Sequence, residues 1–160
     1  IDLSEVPILI GCFAMGPAAG IIIEAMKILL NFIISGTVTA GVGELANFAI
    51  GCSMVLPAGL IYRYHKTRKN AVLGMAAGTL VMAAIGGLLN AFVLLPAYAA
   101  LFGGMDAIIG MGTAVNKNIT SVQSFVLLSV VPFNLVKGVI VSLVTFLLYK
   151  HVSRVLIHNA

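Results

Sequence analysis

The chain has 160 residues, of which 61% are hydrophobic and only 9% are charged. Because a soluble globular domain carries about 25% charged residues, this composition excludes an ordinary soluble domain and predicts an integral membrane protein. The net charge of +4 does not indicate nucleic-acid binding, since six of the nine Lys and Arg residues lie in two short clusters, at 63–69 and 150–154.

Five apolar blocks follow one another along the chain, at residues 3–15, 17–35, 42–62, 71–98 and 121–149. A membrane-spanning helix needs about 20 residues, which the last three blocks supply, whereas the first block is short. Gly16 and Pro17 mark a break, because Gly is common just after a helix and Pro at a helix start. No period-2 pattern typical of a β-barrel is present. The sequence therefore predicts an all-α fold with five helices, the first of them short or half buried.

The two basic clusters predict how these helices are oriented, because cytoplasmic loops of membrane proteins are enriched in Lys and Arg. With residues 63–69 inside, the connection at 99–120 lies outside, and so does the start of the chain. An outside start without a signal peptide leads us to expect one further helix upstream, and six helices in the complete protein. We expect residues 1–160 to be a single transmembrane domain, N-terminally incomplete, of a multi-pass membrane protein.

Small residues recur at helical spacing in three pairs: Gly16 with Gly20, Gly74 with Gly78, and Ala83 with Gly87. In a bilayer such residues let helix backbones approach closely. Packing within the chain is the expected use, and sliding against a partner subunit is the alternative.

Nothing in the sequence indicates catalysis. The chain contains no GxxxxGK[ST], HExxH or GxSxG motif and no carboxylate pair spaced for acid–base chemistry. Cys12 and Cys52 stand alone in apolar stretches, so we expect buried apolar residues rather than metal ligands or a disulfide. We predict no catalytic residue, no metal site and no enzyme.

Two polar pairs lie inside the apolar blocks at a spacing of three residues, which places each pair on one helix face. Glu24 and Lys27 are expected to form an intramembrane ion pair, with a role in holding a ligand as the alternative. Lys137 is the only formal charge in 121–149, and a lysine near the middle of a membrane helix costs about 2.5–3.5 kcal/mol. With Asn134 it suits a planar ligand edge of carbonyl oxygens and ring nitrogens. The alternative is a structural pairing of Lys137 with Glu24 or Glu44.

Pro132, just before this pair, is expected to weaken the backbone hydrogen bonds and allow a local bend.

Six segments together resemble the riboflavin-specific S component of energy-coupling-factor (ECF) transporters: "IDLSEVPILIG", "GPAAGIIIEAMK", "GVGELANF", "LPAGLIYRYHKTRKNA", "LLNAFVLLPAY" and "VPFNLVKGVI". They cover essentially the whole chain, in order. That family has six helices, and this sequence would begin in the loop after the first. The resemblance implies a ligand site toward the outside, covered by residues 1–6 and 99–120.

The resemblance also implies a function. An S component of this kind captures riboflavin, docks on a transmembrane coupling subunit with two ABC ATPases, and topples in the bilayer of the bacterial cell membrane to release the vitamin inside. Riboflavin is then a transported substrate, and no cofactor is implied.

By the same resemblance, Asn134 and Lys137 would bind the polar edge of the flavin and Asn90 would be a further polar contact. Apolar walls would come from Phe92, Leu95 and Tyr98. Three other interpretations stay open: an S component for another vitamin such as thiamine or biotin, a structural membrane subunit whose lysine is only ion-paired, and a membrane enzyme, which the absence of a catalytic constellation disfavours.

Overall fold

The structure is a computed structural model that describes residues 2–158, and the side chains of residues 2–154. In this part of the chain all regular elements are helices, and we number six of them. The first three are α1 (Glu5–Met15), α2 (Pro17–Ser35) and α3 (Val42–Tyr64). The others are α4 (Arg68–Leu101), α5 (Met105–Val115) and α6, which comprises Val122–Phe125, Val126–Val130 and Val131–His158. The predicted all-α class is confirmed.

Four of the described helices, α2, α3, α4 and α6, are long and apolar enough to cross a membrane. Helix α4 has 34 residues and the Val122–Arg154 part of α6 has 33. At about 1.5 Å per residue, each is roughly 50 Å long, which exceeds the hydrocarbon core of about 30 Å. The clusters at 63–69 and 150–154 lie together at one end of the bundle, called the basic end below.

Helices α1 and α2 form a hairpin with almost no connection between them. Gly16 has φ +103°, a conformation that L side chains rarely adopt, and Pro17 begins α2 directly after it. Helix α1 has only 11 residues, yet its Ile8 and Leu9 are fully buried in the main core. The prediction of a short first helix held inside the protein is confirmed.

The backbones of α3 and α4 are in direct contact through glycine. A Cβ atom at Gly74 would lie 2.7 Å from the carbonyl oxygen of Ala58, and one at Gly78 would overlap the carbonyl oxygen of Met54. In α2, a Cβ atom at Gly20 would likewise be too close to the side chains of Val55 in α3 and Cys12 in α1.

Gly87 lies against Val126 and Val131 of α6, and Ala83 is buried. Within the described residues, five of the six paired small residues thus pack inside the chain, as expected. A Cβ atom at Gly16 would meet nothing within 4 Å, and this residue serves the turn between α1 and α2 instead.

Each of the two long helices contains one wider π turn, Asn90–Leu94 in α4 and Val126–Val130 in α6. Both turns end just before a proline, Pro96 or Pro132. At the end of each turn the backbone N–H bonds five residues back, from Leu95 to Asn90 and from Val131 to Val126. Because proline donates no hydrogen bond and crowds the preceding turn, the helix widens there. The π turn before Pro132 agrees with the expected weakening of the backbone hydrogen bonds, and the local bend stays a prediction.

Helix α5 was not predicted, because the connection at 99–120 was taken as a loop and the chain was expected to hold five helices. At 11 residues, α5 is too short to span a membrane, so the length criterion misses it. It is held by packing: Ile108 and Gly112 are buried, and Gly112 lies against the ring of Phe125.

Replacing Gly78 with alanine should destabilise the bundle, because the new methyl group forces α3 and α4 apart. Overpacking of this kind costs about 1–3 kcal/mol, measurable as a lower midpoint of thermal unfolding in detergent. Gly110→Ala is the matched control, since a Cβ at Gly110 meets nothing within 4 Å. An unchanged midpoint for Gly78→Ala would contradict the backbone contact.

Candidate ligand-binding site

Four charged side chains come together between α1, α2 and α6. Lys27 Nζ lies 2.7 Å from Glu5 Oε1 and 2.8 Å from Glu24 Oε1. Lys137 Nζ lies 3.7 Å from the same Glu5 oxygen. These contacts are the three ion pairs among the residues whose side chains the structure describes. We refer to Glu5, Glu24, Lys27 and Lys137 as the charge cluster.

The charge cluster is buried but balanced. Glu24 is 0% exposed and Glu5 2%, so each carboxylate would be very costly to bury without a cation beside it. Two ammonium groups face two carboxylates, which leaves no net charge. The Oε2 atoms of Glu5 and Glu24 accept no hydrogen bond from the described residues. The cluster therefore retains free carboxylate acceptors beside the ammonium group of Lys27.

A glycine of α3 makes room for the deepest of these groups. A Cβ atom at Gly51 would overlap the carboxylate of Glu24. The carboxylate thus occupies the volume of a missing side chain, and α3 forms one side of the cluster.

The structure confirms one prediction about these charges and corrects another. Glu24 and Lys27 form the expected ion pair. The carboxylate beside Lys137 is Glu5, however, and neither Glu24 nor Glu44. Glu44 instead accepts a hydrogen bond of 3.0 Å from the hydroxyl of Thr37. The Gly16 hairpin folds α1 back along α2, and this brings the first turn of α1 to the level of Lys27.

A cavity of about 320 Å³ opens beside the charge cluster. This volume lies at the lower end of the range for small-molecule sites, about 300–1,000 Å³. Its lining is mostly polar and comes from α1, α2, α3, α6 and the residues before α1: Asp2, Ser4, Glu5, Lys27, Ile28, Asn31, Asn47, Ile50, Gly51 and Lys137.

The carboxylate of Asp2 is held in place by Ser4. The Ser4 N–H donates to Asp2 Oδ1 at 2.8 Å and the Ser4 hydroxyl donates to Oδ2 at 2.7 Å. Partial burial raises the pKa of Asp2, but these hydrogen bonds outweigh it and, with Lys137 and Lys27, lower the pKa below its ordinary value. Asp2 is therefore ionised at neutral pH, and the cavity carries a fixed negative charge near its Lys137 side.

Asn134 and Lys137 share a helix but point to different neighbours. Asn134 is buried against α4, where a Cβ at Gly86 would lie 2.5 Å from its Nδ2 atom. Asn90 meets the same glycine, because its amide donates to the Gly86 carbonyl at 2.7 Å. Asn90 and Asn134 thus both lie beside Gly86 of α4. Neither amide lines the cavity beside the charge cluster, so their part in ligand binding stays a prediction.

The three predicted apolar wall residues lie elsewhere. Phe92 is 76% exposed, whereas Leu95 is buried in a second core cluster with Ala99, Ile108 and Val126. Tyr98 stacks on Phe102 with ring centroids 6.0 Å apart. None of them lines the cavity that Lys137 enters, and their part in ligand binding stays a prediction.

Sequence reasoning did not name five of the polar lining residues individually: Asp2, Ser4, Glu5, Asn31 and Asn47. A signal was present for Asn31, because it lies four residues after Lys27 in an apolar block, on the same helix face. For Asp2, Ser4 and Glu5 the signal was the resemblance alone, which placed residues 1–6 over the ligand site.

The sequence model of the ECF transporter, substrate-specific component, matches residues 1–149. The chain belongs to this family. Among its curated relatives is the riboflavin transporter RibU of Staphylococcus aureus (strain TCH60), 35% identical over 156 residues, which are 98% of this chain and 76% of the relative. Another is the riboflavin transporter FmnP of Bacillus subtilis (strain 168), 31% identical over 150 residues, which are 93% of this chain and 74% of that protein.

The fold of this S component agrees with a solved structure from the same family. The S component of a bacterial ECF transporter superimposes with a TM-score of 0.72 at 33% identity, covering 98% of this chain and 79% of the other. The resemblance found in the sequence segments is therefore confirmed, as is a multi-pass membrane protein of the bacterial membrane.

Replacing Lys27 with methionine should destabilise the ligand-free protein. Glu24 would then have no cation beside it and Glu5 would keep only Lys137 at 3.7 Å. Breaking a buried ion pair by removing one partner costs about 3–5 kcal/mol. The measurement is thermal unfolding in detergent. Adding Glu24→Gln should recover much of the loss, because it removes the carboxylate that is left without a cation.

Lys117→Met serves as the control, since Lys117 is exposed in the connection before α6. Equal destabilisation by Lys27→Met and Lys117→Met would show that the charge cluster does not hold the fold.

Proposed function

We propose that this S component binds riboflavin in the cavity beside the charge cluster and delivers it inward with a transmembrane coupling subunit and two ABC ATPases. One observation carries the proposal: Lys137, the lone charge of its apolar block, reaches a polar cavity of about 320 Å³ in a chain whose relatives are riboflavin transporters. Riboflavin is here a transported substrate rather than a cofactor. We take residues 1–160 as one transmembrane domain.

The chemistry of the cavity suits a flavin. The pyrimidine edge of the ring carries carbonyl oxygens and an N–H, which a lysine ammonium and an asparagine amide can bind. In our proposal Lys137 donates to a ring carbonyl. Contacts with Asn134 and Asn90 require the flavin edge to extend beyond this cavity toward α4, where both amides lie beside Gly86. The ribityl hydroxyls both donate and accept, so they match the carboxylate of Asp2 and the amides of Asn31 and Asn47.

Lys137 is suited to a ligand because its ion pair is the loosest of the cluster. Its distance of 3.7 Å from Glu5 exceeds ordinary hydrogen-bond length, whereas Lys27 contacts the same oxygen at 2.7 Å. The ammonium of Lys137 keeps donors for a ligand while Lys27 neutralises Glu5. Buried polar groups of this kind discriminate strongly, because a wrong ligand leaves them without a partner.

The sequence agrees with a division of labour between this chain and other subunits. The chain contains no GxxxxGK[ST] motif, so ATP would be hydrolysed by the partner ATPases. The proposed task of this chain is capture and delivery.

Replacing Lys137 with methionine should weaken riboflavin binding about tenfold to a hundredfold, because a hydrogen bond to a charged group contributes about 1.5–3 kcal/mol. Riboflavin fluorescence quenching in detergent measures the affinity. Stability without ligand should fall less than in Lys27→Met, since Lys27 still contacts both carboxylates and Lys137 contributes only the longer contact of 3.7 Å to Glu5. Lys117→Met should leave the affinity unchanged.

Unchanged affinity together with lost stability would mean that Lys137 is structural and the site assignment is wrong. Tight binding of thiamine or biotin without riboflavin binding would assign the chain to an S component for another vitamin.

Transport should depend on the partner subunits. Proteoliposomes that contain the S component, the coupling subunit and both ATPases should accumulate labelled riboflavin when ATP is enclosed with the ATPases. Vesicles with the S component alone should bind riboflavin without concentrating it. Concentrative uptake by the S component alone would overturn the proposed mechanism.

A further inference from the structure

A second cavity, of about 420 Å³, lies at the basic end of the bundle. One wall is the junction of α1 and α2, around Gly16. The other wall is the last two turns of α3 and the loop after it, with Tyr62, Arg63 and Lys66. None of its lining residues belongs to the charge cluster, so the cavity is separate from the proposed flavin site.

The charge of this cavity has one sign. Arg63 and Lys66 are exposed, and neither forms an ion pair with another residue whose side chain the structure describes. The five acidic residues of the chain all lie away from it: Asp2, Glu5, Glu24, Glu44 and Asp106. The charged side chains of the cavity therefore favour an anion.

The remaining lining is apolar and lies at the level where membrane helices end. Met15 is 67% exposed beside the cavity, and Phe13 and Pro17 form part of its wall. Helices α2 and α3, both long and apolar enough to cross a membrane, have their basic-end termini here. An occupant thus meets two cations on one side and hydrocarbon-like surface on the other.

We propose that this cavity binds the headgroup phosphate of an anionic phospholipid from the leaflet at the basic end. Arg63 and Lys66 hold the phosphate, and the acyl chains run past Met15 along α2. Basic clefts between transmembrane helices are known to take such headgroups, and each Lys or Arg near an anionic membrane surface strengthens binding about fivefold. A soluble phosphate ion would satisfy the two cations but not the apolar wall, which is why we assign a lipid.

The test is native mass spectrometry of the full chain in detergent, titrated with dioleoylphosphatidylglycerol or dioleoylphosphatidylcholine. We expect one saturable phosphatidylglycerol site and much weaker binding of phosphatidylcholine. The double variant Arg63→Gln/Lys66→Gln should lose about 25-fold in affinity for phosphatidylglycerol, the product of two fivefold steps. The charge-conserving variant Arg63→Lys/Lys66→Arg should retain binding and so control for folding.

Lys69→Gln/Arg154→Gln is the matched control, because it removes one Lys and one Arg from the same end, and neither lines the cavity. An equal loss in this control would reduce the effect to diffuse charge and overturn the site. Equal binding of phosphatidylcholine would also overturn it. Inorganic phosphate that displaced phosphatidylglycerol would assign the cavity to a soluble anion instead of a lipid.

Discussion

The carboxylates of Glu5 and Glu24 share one ammonium group, that of Lys27, and three helices are arranged around this contact. In an environment with little water, each of these charges is costly without its partner. Moving α1 along α2 by a single helical turn, about 5.4 Å, would separate Glu5 from Lys27. These ion pairs therefore fix the register of the short hairpin more firmly than its apolar contacts alone would.

The glycines of α3 and α4 make this arrangement possible by removing volume where it is needed. Gly51 admits the carboxylate of Glu24, and Gly78 lets α4 approach the backbone of α3. Gly86 leaves space for the amide of Asn134. These glycines thus let polar side chains lie inside the bundle while the helices stay in close contact. Lys137 lies at the edge of the charge cluster, where a ligand can reach it.

The long helices were predictable because membrane spans depend on local composition, and the runs around Val42–Tyr64 and Arg68–Leu89 are apolar for the required length. The ion pair of Glu24 and Lys27 was predictable for the same reason, since one helix turn joins them.

The partner of Lys137 was not predictable in this way. Glu5 and Lys137 lie near opposite ends of the chain, and only the sharp reversal at Gly16 brings Glu5 to the cluster. Helix α5 was not predicted, because it is too short to span a membrane. The contacts that hold it, such as Gly112 against Phe125, are made with another helix and are not visible in its own sequence. The exposure of Phe92 depends likewise on the rotation of α4 within the bundle, which composition does not determine.

The lengths of α4 and α6 have a consequence for how the bundle sits in a bilayer. Counting about 20 residues from Arg68 reaches Leu88, so Phe92 and Leu101, both exposed, lie beyond the hydrocarbon core when α4 stands upright. Such hydrophobic mismatch costs fractions of a kcal/mol for each Å of mismatch, and tilting the helix relieves it. An upright bundle leaves apolar side chains in the headgroup region or in water, and a tilted one returns them to lipid. The unequal helix lengths therefore lower the free energy needed to incline this protein in the membrane.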